Sequence, residues 1–301
     1  MSVELVYATG ILLAAVGALM WAVHNLLIRV ATEHGDVGDA LVVVMIVNLV
    51  LVAPAAAVAE YPTYGLTWEA AAAFGAAGLA GLVLGRICIF GGIVTIGASR
   101  TTPVVAASTL VSAALAIAVL GESLTLLHLL GIVLVVVGVA IISWLTATDA
   151  GGDGSAHGLA ALVLPLGGAL FIGIEPIFVR YGLESGAPIL VGLTVMMATA
   201  LVSYVVYRRL RVGVVVTPGY GPHLRWYGAA GVASTVGLVA YFGALAVAPV
   251  VIVVPILQTS PLLVIALSAA LLPSRLERVS WRLAAAATVV VAGATLVSLS
   301  G

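Results

Sequence analysis

Apolar residues along this chain come in unbroken runs of about 20, the length a helix needs to cross the hydrocarbon core of a bilayer. Ten such runs can be read off, at 7–29, 40–59, 69–95, 103–120, 126–145, 159–180, 188–207, 226–247, 250–272 and 279–299. The connections between them are short and polar: TEHGDVGD after the first, EYPTYG after the second, GESLT between the fourth and fifth. The longest linker, from Thr146 to Gly158, divides the runs five and five. The polar stretch 208–225 is too short and too rich in Pro and Gly to fold alone. The pattern predicts an all-α integral membrane protein of ten transmembrane helices, with nothing left for a soluble domain.

Composition agrees. Of the 301 residues, 63% are apolar and 8% charged, against roughly 45–50% and 25% in soluble domains. A lipid bilayer is therefore the expected solvent and the cell membrane the expected location. The basic residues are all Arg, and the net charge of −1 leaves no basic stripe for phosphates, so nucleic acid is not an expected partner. The single Cys, Cys88, excludes a disulfide within the chain and a Cys-based metal site. No cofactor and no metal are expected. The start, MSVELVYATG, has no Lys or Arg before its apolar run and reads as part of the first span rather than a removable signal peptide.

Sliding the chain along itself exposes an internal repeat. At an offset of 151, Gly17-Ala18-Leu19 meets Gly168-Ala169-Leu170, Arg29 meets Arg180, Glu33 meets Glu184 and Gly35 meets Gly186. At 153, Gly75 and Gly78 meet Gly228 and Gly231; at 155, Glu122 meets Glu277 and Gly138 meets Gly293. The division is 1–148 for the first five-helix repeat, 149–158 for the linker and 159–301 for the second repeat. An odd number of spans per copy starts the second copy on the opposite face, so the repeats are expected to be inverted. That plan is common in transporters, with the site at the repeat interface.

The residues GALMW in the first run, ASRTTPVVAAS around the fourth and LGESLTLLHLLGIVLVVVGVAII across the fifth carry a resemblance to the EamA-like branch of the drug/metabolite transporter superfamily. Gly121-Glu122, followed by a helix bearing Gly131 and Gly138, resembles that family's pattern. The second copy keeps Glu277 and Gly293 but lacks the preceding Gly. The resemblance implies a secondary carrier of small metabolites, often exporting them, that uses no ATP. Independently, no GxxxxGK[ST] loop is present to bind nucleotide.

A charged side chain at mid-bilayer costs roughly 2.5–3.5 kcal/mol on insertion scales, so each one inside a span needs a reason. The candidate substrate-binding residues are Trp21, His24, Asn25, Arg86, Glu175 and Gln258. Glu175 precedes Pro176, which removes a backbone hydrogen bond beside an ionisable group. It reads either as a proton- or substrate-binding carboxylate or as a packing partner of Arg86. Arg86 reads either as an anion anchor or as that counter-ion. Trp21 can stack a ring or simply pack. Interhelical hydrogen bonding is the default for Asn25, Asn48 and Gln258. Pro255 and Pro261, with Pro249, break or bend the ninth run and, with Pro176, are candidate gating positions. Glu122 and Glu277 are expected to cap the helix that follows each.

His24 and Glu175 hold equivalent places in their repeats. Inversion would set them about 18 Å apart in depth at 1.5 Å per residue, as two ends of a path rather than one site. Arg counts in the loops run nine after odd-numbered spans (Arg29, Arg100, Arg208, Arg209, Arg211, Arg225, Arg275, Arg278, Arg282) against one, Arg180, after even ones. The positive-inside rule then sets both termini outside, whereas the family resemblance sets them inside. The expected function is secondary transport of a small organic solute such as an amino acid or a drug-like compound, coupled to protons through Glu175, by a monomer or homodimer. The alternatives are a membrane scaffold or sensor, and an intramembrane enzyme, for which no HExxH or GxSxG occurs. A central cavity lined by Trp21, His24, Arg86 and Glu175 would favour transport.

Overall fold

The structure is a computed structural model that describes residues 3–31, 36–96, 101, 104–148, 162–211, 213, 215, 221, 223–271 and 281–299. Glu277, Arg100, Arg275, Arg278 and the linker 149–158 lie outside the described residues. The described residues form helices and connections, with no strand among them. The helices are α1 (Val3–Ala31), α2 (Val37–Ala59), α3 (Trp68–Ala77), a π-helical stretch (Gly78–Leu84), α4 (Gly85–Ile96), α5 (Ser108–Leu120) and α6 (Leu126–Thr148). They continue with α7 (Val163–Glu184), α8 (Ile189–Arg211), α9 (His223–Val247), α10 (Val250–Leu257), α11 (Ser260–Leu271) and α12 (Trp281–Leu299).

Seven described segments are long and apolar enough to cross a membrane. They fall on the first, second, third, sixth, seventh, eighth and ninth of the predicted runs. Shorter apolar helices at Val104–Leu120, Leu126–Ile141 and Thr288–Val297 fall on the other three. The third run is continuous but not uniform, because α3, the π-helical stretch and α4 follow without a break. The ninth is interrupted at Gln258–Thr259, between Pro255 and Pro261. Helix α7 runs through Pro176 without interruption.

Local chemistry explains several helix ends. Asp36 and Thr67 cap α2 and α3, accepting from the backbone N–H of Asp39 and Ala70, each at 3.1 Å. Gly121 ends α5 in a left-handed conformation, φ 68°, and the Glu122 N–H then donates back to the Ala116 carbonyl at 3.2 Å. The Gly121 N–H goes to the same carbonyl, and glycine takes this left-handed position without a Cβ penalty.

That turn corrects one expectation. Glu122 does not cap the helix that follows it. Its two carboxylate oxygens accept from the backbone N–H groups of Val250 and Val251, at 2.8 and 3.0 Å. It therefore caps α10, 128 residues further along the chain. Charge-assisted bonds from two N–H groups at a positive helix end favour that pairing.

Helix α1 packs against α9, α10 and α11; α7 packs against α3, the π-helical stretch, α4 and α5; α2 packs against α8 and α9; and α6 pairs with α12. Gly131 and Gly293 let α6 and α12 approach, a Cβ on either lying 2.7 Å from the other's carbonyl oxygen.

The two ends of the bundle differ. At one end Arg208, closing α8, pairs with Asp39 of α2 at 2.8 Å and with the cap Asp36 at 3.6 Å, while Tyr227 of α9 donates to the Asp36 carbonyl at 3.1 Å. Arg208 is only 5% exposed. At the other end, besides the Glu122 cap, Arg180 donates to the carbonyls of Leu245 and Ala248 near the end of α9. Toward this second end the core is apolar. The Phe74 ring stacks on Phe242 with centroids 5.9 Å apart, and both are fully buried. Gly182 and Gly192 close on Phe74, where added Cβ atoms would stand 2.7 and 2.5 Å from the ring.

Candidate functional site

Between these ends lies a cavity of about 300 Å³. Its walls come from α1, α2, the π-helical stretch, α4, α7, α8, α9, α10 and α11, and none of the described side chains of α5, α6 or α12 lines it. The side chains that sequence reasoning selected converge there. Trp21, His24, Asn25, Arg86, Glu175, Gln258 and Pro261 all line the cavity, whereas Pro176 and Pro255 do not.

Glu175 stands on α7 where the facing π-helical stretch offers Gly81, and a Cβ added at Gly81 would lie 2.7 Å from Glu175 Cγ. Oε2 accepts from the Tyr241 hydroxyl at 3.4 Å, and Tyr241 packs at 5.6 Å and 49° against Trp21. Oε1 is buried and has no hydrogen-bond partner among the described residues. Arg86 follows the π-helical stretch as the second residue of α4. No ion pair joins it to Glu175, so the reading of Arg86 as a direct counter-ion finds no contact here. Two opposite charges thus line one cavity without closing on each other. π-helical stretches are frequent at functional sites because the widened turn re-aims neighbouring side chains.

His24 is buried on α1, and its Nδ1 lies 2.9 Å from the Ala230 carbonyl of α9. A carbonyl only accepts, so Nδ1 carries the proton and a neutral ring leaves Nε2 as an acceptor. Asn48 of α2 joins α9 through the Thr235 and Ser234 hydroxyls at 2.9 and 3.3 Å. Gln258 caps α10 at the break in the ninth run.

The 18 Å separation assigned to His24 and Glu175 counted rise along straight, upright helices. It does not divide them into separate places, because both line the same cavity. Sequence reasoning also missed Tyr241, Ser260 and the paired thioethers Met196 and Met197, of which the last three line the cavity. Ser260 had a signal, sitting between Gln258 and Pro261. Tyr241 had none, since a Tyr in an apolar run has no spacing that marks it. No group of His, Cys, Asp or Glu that could hold a metal ion occurs among the described residues.

Comparison with known proteins bears on this arrangement. Residues 8–144 match the model of the EamA-like transporter family. No curated protein matches the chain. A solved structure titled only "Crystal structure of protein" superposes with a TM-score of 0.71 over 99% of this chain and 97% of its own, at 19% identity, and is similar in fold. Seven apolar helices of spanning length and this match lead to one conclusion. Over residues 8–144, this multi-pass membrane protein is similar to the EamA-like transporter family, a family of the drug/metabolite transporter superfamily.

Proposed function

We propose that the protein is a secondary-active transporter of small organic metabolites, with amino acids as the leading class. One observation carries the reading: a membrane-embedded cavity holds Arg86 and Glu175 unpaired with each other. Charges buried at such depth are costly and face a wet cavity or a ligand. A zwitterion satisfies both signs at once. The packed, cavity-free bundle expected of a scaffold would offer no such space.

The same proposal takes 1–148 and 159–301 as inverted five-helix repeats joined by 149–158. Packing partners support it. If the ten runs are numbered in order, exchanging each run with the one five places away turns the contact of 1 with 8 into that of 6 with 3. It likewise turns 1 with 9 into 6 with 4, and 2 with 8 into 7 with 3, while 2 with 7 and 5 with 10 map onto themselves. Alternating access then reopens the cavity at opposite ends. Export as the direction rests on the family resemblance alone.

Proton coupling is assigned to Glu175, the one carboxylate among the described residues of the cavity wall. The test is flux of labelled amino acids into proteoliposomes under an imposed pH gradient. Glu175→Gln is expected to insert normally and lose the pH-dependent component. Undiminished, equally pH-dependent flux would remove Glu175 from that role.

A further inference from the structure

We propose that Ser260 and the first turn of α11 form the carboxylate-binding pole of the cavity, opposite Glu175 as the ammonium-binding pole. The inference rests on the transport reading and names the part of the cavity wall that selects the substrate's anionic group.

The argument starts from the break in the ninth run. Helix α10 ends and α11 begins within the cavity wall, so the interruption supplies both a helix C-terminus and a helix N-terminus. The acceptors of the break are used locally. The Val254 carbonyl takes the Gln258 N–H at 3.1 Å, and the Ile256 carbonyl takes both the N–H and the hydroxyl of Thr259, at 3.0 and 2.7 Å. The donors are not. Ser260 is only 7% exposed, lines the cavity, and its Oγ has no partner among the described residues.

A buried hydroxyl without a partner costs about 1–3 kcal/mol, a cost that an acceptor placed against Ser260 would offset. Pro261 has no N–H, which concentrates the donor capacity of this first turn on Ser260. Helix α11 has 12 residues, enough for its N-terminus to carry about half a positive charge. A group placed there must accept hydrogen bonds and is favoured when negative. Anionic substrate groups at the N-terminal ends of interrupted membrane helices follow the same physics. Arg86, which makes no ion pair with Glu175, adds positive potential to the same cavity, and Glu175 takes the opposite sign of substrate charge.

The test uses the full-length protein in proteoliposomes with L-leucine, L-methionine and L-phenylalanine, each beside its decarboxylated amine. Ser260→Ala is expected to raise the half-saturation concentration for the amino acids roughly tenfold, the value of one hydrogen bond to a charged group, and to leave the amines unchanged. Ser260→Thr keeps the hydroxyl and should retain amino-acid affinity. Ser260→Asp should abolish amino-acid flux while amine flux persists, which also certifies that the variant folds. If the Ser260 variants change amino acids and amines alike, or change neither, the carboxylate pole is wrong and the transport reading stands. If the unsubstituted protein moves none of the amino acids but carries other solutes, the inference falls alone. If it moves no solute of any class, both fall.

Discussion

At Glu175 the facing helix carries Gly81, and a Cβ built there would lie within 2.7 Å of the Glu175 side chain. The carboxylate is therefore placed by a missing methyl group as much as by its bond to Tyr241. Gly81→Ala should push Glu175 off that position. Overpacking of this kind typically costs about 1–3 kcal/mol, and pH-dependent flux should fall roughly a hundredfold if a displacement near 1 Å disturbs the site as strongly as it disturbs enzyme sites. Parallel flux and thermal-unfolding measurements on the variant check this; unchanged flux would mean that Glu175 has room to step aside. The charged members of the cavity were legible because lipid makes each Arg or Glu in an apolar run conspicuous. Tyr241 was not, because a hydroxyl is cheap enough in a helix that its presence alone signals nothing, and Ser260 was marked only by its place between Gln258 and Pro261. An Oγ without a partner among the described residues, on the cavity wall, distinguishes Ser260 from the other buried hydroxyls, and both are properties of the folded chain.

Among the elements, α10 is the one held from a distance. Its first two N–H groups bind the Glu122 carboxylate, so α5 and α10 are coupled across 128 residues of sequence. Glu122→Ala removes both bonds and leaves the donors without that acceptor. With a lost cap worth about 0.5–2 kcal/mol and bonds to charged groups worth about 1.5–3, a loss on the order of 2 kcal/mol is expected. Glu122→Gln, which keeps one acceptor oxygen, should lose less. Unfolding of the detergent-solubilised protein ranks the two, and an equal loss would argue against a bonded cap. The apolar runs announced themselves by length, and the break in the ninth followed from its prolines. The π-helical stretch did not, since GLAGLVL reads as ordinary apolar helix until its neighbours Met196 and Glu175 are placed against it. The partner of Glu122 was equally invisible, because local sequence ties a cap only to the helix it adjoins.

For the whole molecule, the strongest constraint is how differently the two ends are joined. The Arg208–Asp39 pair with Asp36 ties α2 to α8 at one end. Asp39→Ala would leave buried Arg208 with only the 3.6 Å contact to Asp36. Stranding one member of a buried pair costs roughly 3–5 kcal/mol, and the remaining aspartate should hold the loss toward the lower figure. Exchanging the charges, Asp39→Arg with Arg208→Asp, should recover part of it in the same denaturation assay. Failure of the exchange to recover any stability would mean that the surroundings of each residue, including the Asp36 cap, matter more than the pair itself. The offsets within the sequence pointed to two related halves but not to this difference, since the offset of 151 places Leu190 opposite Asp39 and Ala57 opposite Arg208.

That difference reaches beyond stability. Separating the Phe74–Phe242 packing exposes apolar surface, whose free energy changes with temperature through a large heat-capacity term and barely with ionic strength. Separating Arg208 from Asp39 hydrates two ions, a step sensitive to salt and to anionic headgroups nearby. A cycle that opens the two ends in turn would therefore have one half-reaction governed by heat and the other by electrolyte. Warming and salting would slow or speed different legs of the same journey, and whichever leg limits turnover would reveal itself by the variable to which it answers.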